Sequence, residues 1–542
     1  MSDSITRSQT VINRKAREQA LQALQAVTVE PTSLVNYQSR GRIAVIGDQL
    51  AQEIAPRLNE RLSPIVILTR GAEEPGAPVV PLGGRELRIE GYLGAFKLAL
   101  GEAGRANAET LAVDLILDLS PQPLLDRGMT PPGYYHSSGE EDQIAAVIEE
   151  VAQMTGSFEK PRYFDYDPSI CAHGRSGKQA CTRCLDACPA DAIASLGETI
   201  EVNSYLCQGG GACASVCPSG AIRYVFPSLK DGLQRLRRLL QVYREQGGGS
   251  PVVVFHAASD DPLPDRLPSH YLPVAVEELA SVGMDSWLSA LAYGASRVVL
   301  ADGGGMPPKV ARAMREQLTL AGEILGAMGY PQTAIRLATH QNLHQEGAGA
   351  MPGIEAAAYS GIGGKRQSIY FALDHLFAQA ERAKPMASLS AGAPFGTVYV
   401  EQKACTLCLS CVGACPGKAL QSGDGELPQL RFLEANCLQC GLCTRTCPED
   451  AIWITPRLLF EAESRNRLRT LHEEQPFRCT ACGKPFATRS VIEKMRSKLK
   501  DHYMFQSERA LKRLTLCDAC RVVDIVQDQE AMGGDVDGRL RQ

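Results

Sequence analysis

The sequence predicts a multidomain chain of the α/β plus α+β class, and three observations support this prediction. The chain has 542 residues, several times the usual size of a domain, so several separate cores are expected. Two long stretches alternate short β-branched runs with helical patterns, as parallel sheets covered by helices do. The 19 cysteines fall in tight groups, with none before position 171.

Residues 41–160 form the first predicted α/β domain, preceded by a helical extension at 1–40. Strands are expected at RIAVIGD, PIVILTR and TLAVDLILDLS, and the intervening LGAFKLALGEA is predicted to be helical. RIAVIGD resembles the start of a Rossmann unit, but Gly47 is followed by Asp48 and no G-x-G-x-x-G fingerprint appears. A structural domain of Rossmann or flavodoxin type is therefore expected, without a nucleotide.

Residues 229–345 form the second predicted α/β domain, of the same type. PVVVFHA, LPVAVEEL, RVVLADGGG and TAIRLAT are the expected strands. The glycines at 303–305 stand between a strand and a helix, where their amides either face an anion or form a tight turn. Residues 346–396 are rich in Gly, Ala and Ser, and are predicted to be a connector around the helix QSIYFALDHLFAQAERA.

Composition excludes several classes of partner. Hydrophobic residues make up 44% and charged residues 22%, and the formal net charge is −5. No basic block suits a nucleic-acid backbone, so no nucleic acid is expected. The first forty residues lack an apolar run of signal-peptide length, and no uninterrupted apolar run of about 18 residues occurs elsewhere. We expect a cytoplasmic protein without direct membrane insertion; the oligomeric state is not indicated.

Four cysteine segments share one design, in which Cys-Pro is followed by two variable residues, an alanine and an aliphatic residue. They read ACTRCLDACPADAI, CQGGGACASVCPSGAI, CTLCLSCVGACPGKAL and CLQCGLCTRTCPEDAI. The full pattern, C-x2-C-x2-C-x3-C-P, is the bacterial ferredoxin run, in which three thiolates hold one cluster and the fourth reaches the neighbouring cluster. Two dicluster ferredoxin-like modules are therefore predicted, at 161–228 and 397–458.

The second module follows the pattern without a departure, so two [4Fe-4S] clusters are expected there. By the exchange rule, one takes Cys405, Cys408, Cys411 and Cys447, and the other takes Cys437, Cys440, Cys443 and Cys415. The doubled spacing disfavours zinc or disulfides at these eight positions.

The first module departs from the pattern at its first site. Lys178 stands where the first ligand should be, and the loop AHGRSGKQA is inserted between ligands one and two. A third [4Fe-4S] cluster can still be completed, by Cys171, Cys181, Cys184 and Cys217.

The other site of the first module is one cysteine short. Cys207 and Cys213 keep the interval between ligands one and three, Cys188 supplies the cross-strand thiolate, and Gly210 replaces the second ligand. Three outcomes are open: a [3Fe-4S] cluster, a site-differentiated [4Fe-4S] cluster held by water or a non-cysteine group, or no cluster.

The segment 459–542 is expected to be helical and to carry a four-cysteine metal site. FRCTACGKPF and TLCDACRVV are two C-x-x-C knuckles, with a helical stretch, VIEKMRSKLKDHYMFQSERALKRL, between them. Zinc is the expected metal, and a rubredoxin-like iron is the alternative. The four ligands are Cys479, Cys482, Cys517 and Cys520.

At these repeats the chain resembles the dicluster ferredoxin superfamily. FDYDPSICAHGRSGKQACTRCLDACP, with DLILDLS and PPGYYH, resembles the multi-cluster iron-sulfur proteins that accompany proteobacterial formate dehydrogenases, with kinship to heterodisulfide reductase iron-sulfur subunits. VEELASVGMDSWLSALAYGASRVVLAD is similar to the delta subunit of methyl-viologen-reducing hydrogenases. That family binds a cluster through cysteines, which residues 251–345 lack, so this domain is expected to have lost its cluster.

The resemblance implies an electron carrier whose redox partner is a formate dehydrogenase. Two alternatives remain at this point: an accessory factor that matures such an enzyme, and an enzyme that uses an open iron beside Gly210 as a Lewis acid. No catalytic residue is assigned, because the loop QGGGA offers no acid or base and His173 is expected to be a loop residue.

Overall fold

The structure, a computed structural model, describes residues 2–25, 33–58, 60–73, 76–101, 109–138, 140–259, 263, 267–343, 349–425 and 427–528. The chain forms two compact units. The first contains residues 1–168 and 182–383, and the second contains 169–181 and 384–542. The predicted module at 161–228 is therefore shared, because its inserted loop belongs to the second unit.

The first α/β domain follows the N-terminal helix. Its elements are α1 (Ser2–Gln25), β1 (Leu34–Ser39), β2 (Arg42–Gly47), α2 (Gln49–Leu58), β3 (Ser63–Leu68), β4 (Val79–Pro81), β5 (Glu86–Glu90), β6 (Phe96–Gly101), β7 (Glu109–Val113), β8 (Leu115–Asp118), β9 (Tyr134–His136), α3 (Glu141–Ala152) and β10 (Gly156–Pro161). The main sheet is parallel, in the order β4-β3-β2-β8-β9. Both of its faces are covered, since Ile43 and Val45 enter one core and Ala44 and Ile46 enter another.

The prediction of a helix at LGAFKLALGEA is wrong. Residues 96–101 form β6, the central strand of the antiparallel sheet β5-β6-β7. Phe96, Leu98 and Leu100 are buried and alternate with the exposed Lys97. This two-residue period outweighs the helix propensity of Leu and Ala.

The second α/β domain has the predicted strands in one parallel sheet, whose order is β18 (Tyr271–Val276), β17 (Val252–Ala257), β19 (Arg297–Asp302) and β20 (Ile335–Thr339). Before it lie β11 (Phe164–Tyr166), β12 (Gly174–Arg175), β13 (Lys178–Gln179), α4 (Arg183–Ala187), β14 (Ile193–Ser195), β15 (Ile200–Val202), α5 (Ala212–Val216), β16 (Ile222–Tyr224) and α6 (Leu229–Glu245). The domain itself contains β17 (Val252–Ala257), β18 (Tyr271–Val276), α7 (Met284–Ala292), β19 (Arg297–Asp302), α8 (Pro308–Ala327), β20 (Ile335–Thr339) and α9 (Lys365–Ala378). Helix α1 packs against α6.

Residues 349–383 are part of the first unit rather than a loose connector. Met351, Ile354 and Ala357 are buried, and α9 packs against α7 with Leu373 and Leu376 fully covered. Composition predicts a connector here because Gly, Ala and Ser are common, yet the apolar residues among them are buried in the first unit. Residues 344–348 lie outside the described part of the chain.

The second unit holds the second cysteine module and the C-terminal segment. Its further elements are β21 (Met386–Ser388), β22 (Gly396–Val400), α10 (Ser410–Gly413), β23 (Leu420–Ser422), β24 (Gln429–Leu433), α11 (Leu442–Thr446), β25 (Ile452–Leu459), α12 (Ala462–Asn466), β26 (Leu468–Glu473), β27 (Pro476–Arg478), β28 (Pro485–Thr488), α13 (Arg489–Leu499), α14 (Glu508–Arg513) and α15 (Asp518–Val526). The single helical stretch predicted at 491–514 is divided, because Ser507 starts α14 by accepting a hydrogen bond from the Ala510 amide.

Across the described residues, every helix is too short or too polar to cross a membrane.

Candidate iron-sulfur and metal sites

The cysteine loops of the second module wrap tightly because particular residues adopt left-handed conformations. The residues two and four positions after the first cysteine of each run have positive φ, at Leu407 (53°), Leu409 (60°), Gln439 (52°) and Gly441 (80°). For leucine this conformation is unfavourable, so the surrounding loop must impose it. The curvature turns successive thiols toward one centre.

Two thiols of this module, Cys411 and Cys443, have thiol neighbours that belong to the two predicted ligand sets. Burial, with the nearby thiols Cys405, Cys408 and Cys447, raises the pKa of Cys411 to about 12.

The second set shows the same effect. Burial, with the neighbours Cys437, Cys440 and Cys415, raises the pKa of Cys443 well above its usual value. Such thiols would stay protonated by themselves, so they are suited to ionise only on binding a metal that accepts thiolates.

The repeated alanine after Cys-Pro has a structural role that the sequence alone did not reveal. Its backbone amide donates to the sulfur of the preceding cysteine in three of the four repeats: Ala192 to Cys188 at 3.3 Å, Ala419 to Cys415 at 3.2 Å and Ala451 to Cys447 at 3.4 Å. The residue before each alanine has positive φ, which aims the amide at the sulfur. Hydrogen bonds of this kind help to set cluster potentials.

The inserted loop AHGRSGKQA is a β-hairpin within the second unit. β12 pairs with β13 around a two-residue turn, Ser176 and Gly177, whose φ values of 55° and 72° fit a type I′ turn. The Cys181 amide donates to the Ala172 carbonyl at 3.2 Å, so Cys171 and Cys181 lie at the base of the hairpin. The insertion therefore leaves the backbone of Cys181 close to that of Ala172, the neighbour of Cys171.

The hairpin packs on the second module. The Arg445 guanidinium of α11 donates a hydrogen bond to the Gln179 carbonyl. The pKa of Cys440 is raised to about 12, mainly by burial and to a smaller extent by nearby thiols, one of which is Cys181. His173 is buried, and its Nδ1 donates to the Cys181 carbonyl at 2.7 Å. It stabilises the hairpin, as expected for a loop residue.

The three thiols of the incomplete site lie together in the first unit. Burial, with the neighbours Cys207, Cys188 and Cys184, raises the pKa of Cys213 well above its usual value. Cys184 and Cys217 belong to the same unit, whereas Cys171 and Cys181 belong to the second unit. The predicted set of Cys171, Cys181, Cys184 and Cys217 consequently remains a proposal.

Gly210 occupies the position of the second cysteine. Gly209 and Gly211 have φ of 82° and 70°, matching the left-handed residues on either side of Cys408 and Cys440. A Cβ at Gly209 would lie 2.9 Å from the Tyr163 ring, and one at Gly211 would lie 2.3 Å from the Ser281 Cα.

By contrast, the backbone of Gly210 is not left-handed. A Cβ at this position would lie 3.4 Å from its nearest neighbour, the Met129 Sδ, which is an ordinary contact distance. Neither backbone nor space requires glycine there.

Two lysines that sequence reasoning missed donate to the cluster loops of the first module. Lys160 Nζ donates to the carbonyls of Tyr205 at 3.0 Å and Cys207 at 2.5 Å. Lys365 Nζ donates to the carbonyls of Ala214, at 2.7 Å, and Ser215. Burial lowers the pKa of both lysines, to about 8 for Lys160. Both can place positive charge beside a cluster.

A cavity of about 220 Å³ adjoins Gly210. Its lining includes Met129, Ala257 and Asp302. Ala257 ends β17 and Asp302 ends β19, and between these two strands the strand order of the sheet reverses. The Asp302 carboxylate accepts a hydrogen bond from the Gly304 amide at 3.0 Å, so this amide is not available to an anion. Together with Glu278, Asp302 gives the cavity an acidic lining.

The last four cysteines form a compact group in the second unit. The Sγ atoms of Cys479, Cys482, Cys517 and Cys520 all lie within 4.8 Å of one another. The Sγ atoms of Cys482 and Cys517 are 3.7 Å apart. Two sulfurs bound to one tetrahedral zinc, each by a bond of about 2.3 Å, would be about 3.8 Å apart. Burial would raise the pKa of Cys479, but backbone amides, chiefly that of Cys517, lower it to about 6. The group is thus prepared to bind a metal.

Comparisons with known proteins agree with the cysteine geometry. Residues 399–452 match the family model of the 4Fe-4S dicluster domain, and residues 200–223 match that of the 4Fe-4S binding domain. Over 102 residues the chain is 33% identical to "Hydrogenase-4 component A" of Escherichia coli (strain K12), a match covering 16% of this chain and 47% of that protein. The chain therefore spans about half the length of this relative. These matches and the thiol groups identify an iron-sulfur protein of the electron-transfer type.

Proposed function

We propose that this chain carries electrons through both cysteine modules to or from a partner oxidoreductase. The observation that carries the proposal is the contact of the inserted hairpin with α11, which places Cys181 beside Cys440. A cluster bound through Cys181 would exchange electrons with the cluster bound through Cys440. Within the second unit, the hairpin would thereby extend the electron path of the second module by one cluster.

The proposed complement is three [4Fe-4S] clusters, one [3Fe-4S] or site-differentiated [4Fe-4S] cluster at Cys188, Cys207 and Cys213, and one zinc. The thiol groups of the second module and the amide donors to their sulfurs support the first two clusters. The sulfur spacing supports a tetrahedral metal at the last four cysteines, and a rubredoxin-like iron is the alternative.

The partner is proposed to be a formate dehydrogenase in the cytoplasm, on the resemblance of the first module to the proteins that accompany such enzymes. The similarity to Hydrogenase-4 component A supports the broader idea of a large redox complex. The test is rapid-freeze EPR after mixing the oxidised protein with formate dehydrogenase and formate. Cluster reduction at the turnover rate of the enzyme supports the proposal, whereas reduction much slower than turnover favours a maturation factor.

The contact between the hairpin and the second module should matter for electron exchange. In Arg445→Ala the hydrogen bond to the Gln179 carbonyl is lost, so the hairpin should loosen and electron exchange between the clusters bound through Cys181 and Cys440 should slow several-fold. Flash reduction followed by freeze-quench EPR measures this exchange. The control is Arg431→Ala, which removes the ion pair between Arg431, on β24, and Asp424, and should leave the rate unchanged. Equal rates in both variants would exclude the hairpin from the path.

Lys160 should raise the potential of the cluster at Cys207. At pH 7 Lys160 is mostly charged, because its pKa of about 8 lies above that pH. Lys160→Met removes this charge and should lower the potential by about 50–100 mV, from the Coulomb energy of a partly buried charge. Redox titration followed by EPR measures the shift. Lys160→Arg keeps the charge and should change the potential little; a shift equal to that of the Met variant would refute the electrostatic explanation.

A further inference from the structure

A methionine from the first α/β domain lies where the missing cysteine would project. The Met129 Sδ is 3.4 Å from the position that a Cβ on residue 210 would take, and its methyl carbon is 3.9 Å from the same point. A cysteine sulfur at 210 would lie one bond beyond that Cβ. The thioether therefore reaches the region that the absent thiol would occupy.

Hydrogen bonds hold the Met129 segment to both sides of the incomplete site. The Met129 amide donates to the Pro189 carbonyl at 3.0 Å, directly after Cys188. Gln208, directly after Cys207, donates through Nε2 to the Thr130 carbonyl at 2.6 Å. Two of the three ligand loops thus fix the position of this segment.

The backbone of the Met129 segment lies close to Pro189 and Pro307. A Cβ on Gly128 would lie 2.8 Å from the Pro307 Cβ and 3.2 Å from the Pro189 Cβ. Glycine at 128 therefore lets the backbone come near enough for Met129 to reach the site. The Met129 side chain packs against the buried cluster that contains Cys188, and Cys207 and Cys213 pack against the same cluster.

We infer that Met129 is the fourth ligand of a four-iron cluster at Cys188, Cys207 and Cys213. A thioether is a soft donor that suits iron in a sulfur-rich site, and because it is neutral it binds more weakly than a thiolate. The reduced three-iron cluster, [3Fe-4S]⁰, combines with Fe²⁺ to give [4Fe-4S]²⁺, and a bond forms between the new iron and Met129 Sδ. No electron is gained or lost overall.

The adjoining cavity provides a route for the iron. It is lined by both Met129 and Gly210, and its carboxylates, Glu278 and Asp302, favour a cation over an anion. Met129 would thus let the cluster gain and lose one iron while its other three corners stay fixed. The inference rests on the proposed cluster at this site.

The test is an Fe²⁺ titration of the full-length protein after anaerobic reconstitution and reduction with dithionite. The readout is the fraction of three-iron EPR signal that returns on brief oxidation. Met129→Leu keeps the volume but removes the donor, and should need at least about ten-fold more Fe²⁺ for half-conversion. Met129→Cys should hold four irons throughout.

Selenomethionine labelling gives a second, direct readout. In the iron-loaded protein, selenium X-ray absorption should show an iron neighbour for one of the 12 methionines, and Met129→Leu should remove that feature. If the natural protein and Met129→Leu give equal titration curves, or if selenium has no iron neighbour, Met129 is not a ligand, and the proposed cluster itself is unaffected. Absence of any iron at this site in all proteins would instead overturn the proposed cluster itself, and with it this inference.

Discussion

Replacing Gly210 with cysteine should convert the incomplete cluster into one held by four thiolates. Residue 210 has no left-handed backbone, and the atoms nearest to a Cβ there, from Met129 and Pro189, lie at 3.4–3.9 Å, so a Cβ fits and the new thiol would take the place of the Met129 thioether. Gly209 and Gly211 reproduce the loop conformation around Cys408 and Cys440, which directs a side chain at 210 toward the cluster. The oxidised three-iron EPR signal should disappear and the iron content should rise by about one per chain.

Gly210→Ala is the matched control, because it adds the same Cβ without a thiol. It should retain the three-iron signal. If the cysteine variant keeps that signal unchanged, Gly210 does not correspond to the second ligand and the assigned register is wrong. If the alanine variant also loses the signal, crowding rather than ligation explains the result.

Replacing Cys517 with serine should release the metal from the last four cysteines and unfold the surrounding segment. The core there is small: Cys479, Leu516 and Cys517 are its buried members, supported by Phe486 and Cys520. Structural zinc contributes an apparent binding free energy of about 10–16 kcal/mol in small domains, far more than such a core can supply. Zinc content should fall to near zero, and limited proteolysis should cut within 476–528.

Ser507→Ala is the control for this prediction. It removes the N-cap of α14 at a cost of about 1 kcal/mol and leaves all four thiols in place. Its zinc content should therefore equal that of the natural protein. Unchanged protection of the segment in Cys517→Ser would refute a structural metal, and iron found in place of zinc would show a rubredoxin-like site.

The cysteine repeat was sufficient to predict a 4Fe-4S dicluster module at 397–458, which the family match over residues 399–452 supports, because its spacing reflects the geometry of the loop. What the repeat could not predict is how the backbone turns: Leu407 and Leu409 adopt a conformation that leucine disfavours. The loop imposes it, and no local propensity indicates it. The alanine after Cys-Pro was visible as a pattern, but its amide bond to sulfur was not.

Long-range contacts account for most of what the sequence did not indicate. Lys160 is 47 residues from Cys207, and Lys365 is 151 residues from Ala214, so neither lysine could be connected to a cluster loop. The insertion before Cys181 was recognised, yet its contact with Arg445 depends on tertiary packing. The error at Phe96–Gly101 has a different origin, since leucine and alanine there favour a helix while burial on alternate residues determines a strand.

The most direct test of this account is the metal content of the anaerobically purified, oxidised protein, measured as iron, acid-labile sulfide and zinc per chain. Four clusters, one of them with three irons, together with a separate four-thiolate metal, predict about fifteen irons and one zinc. Fewer than about eight irons would contradict it, because the second module alone accounts for that number.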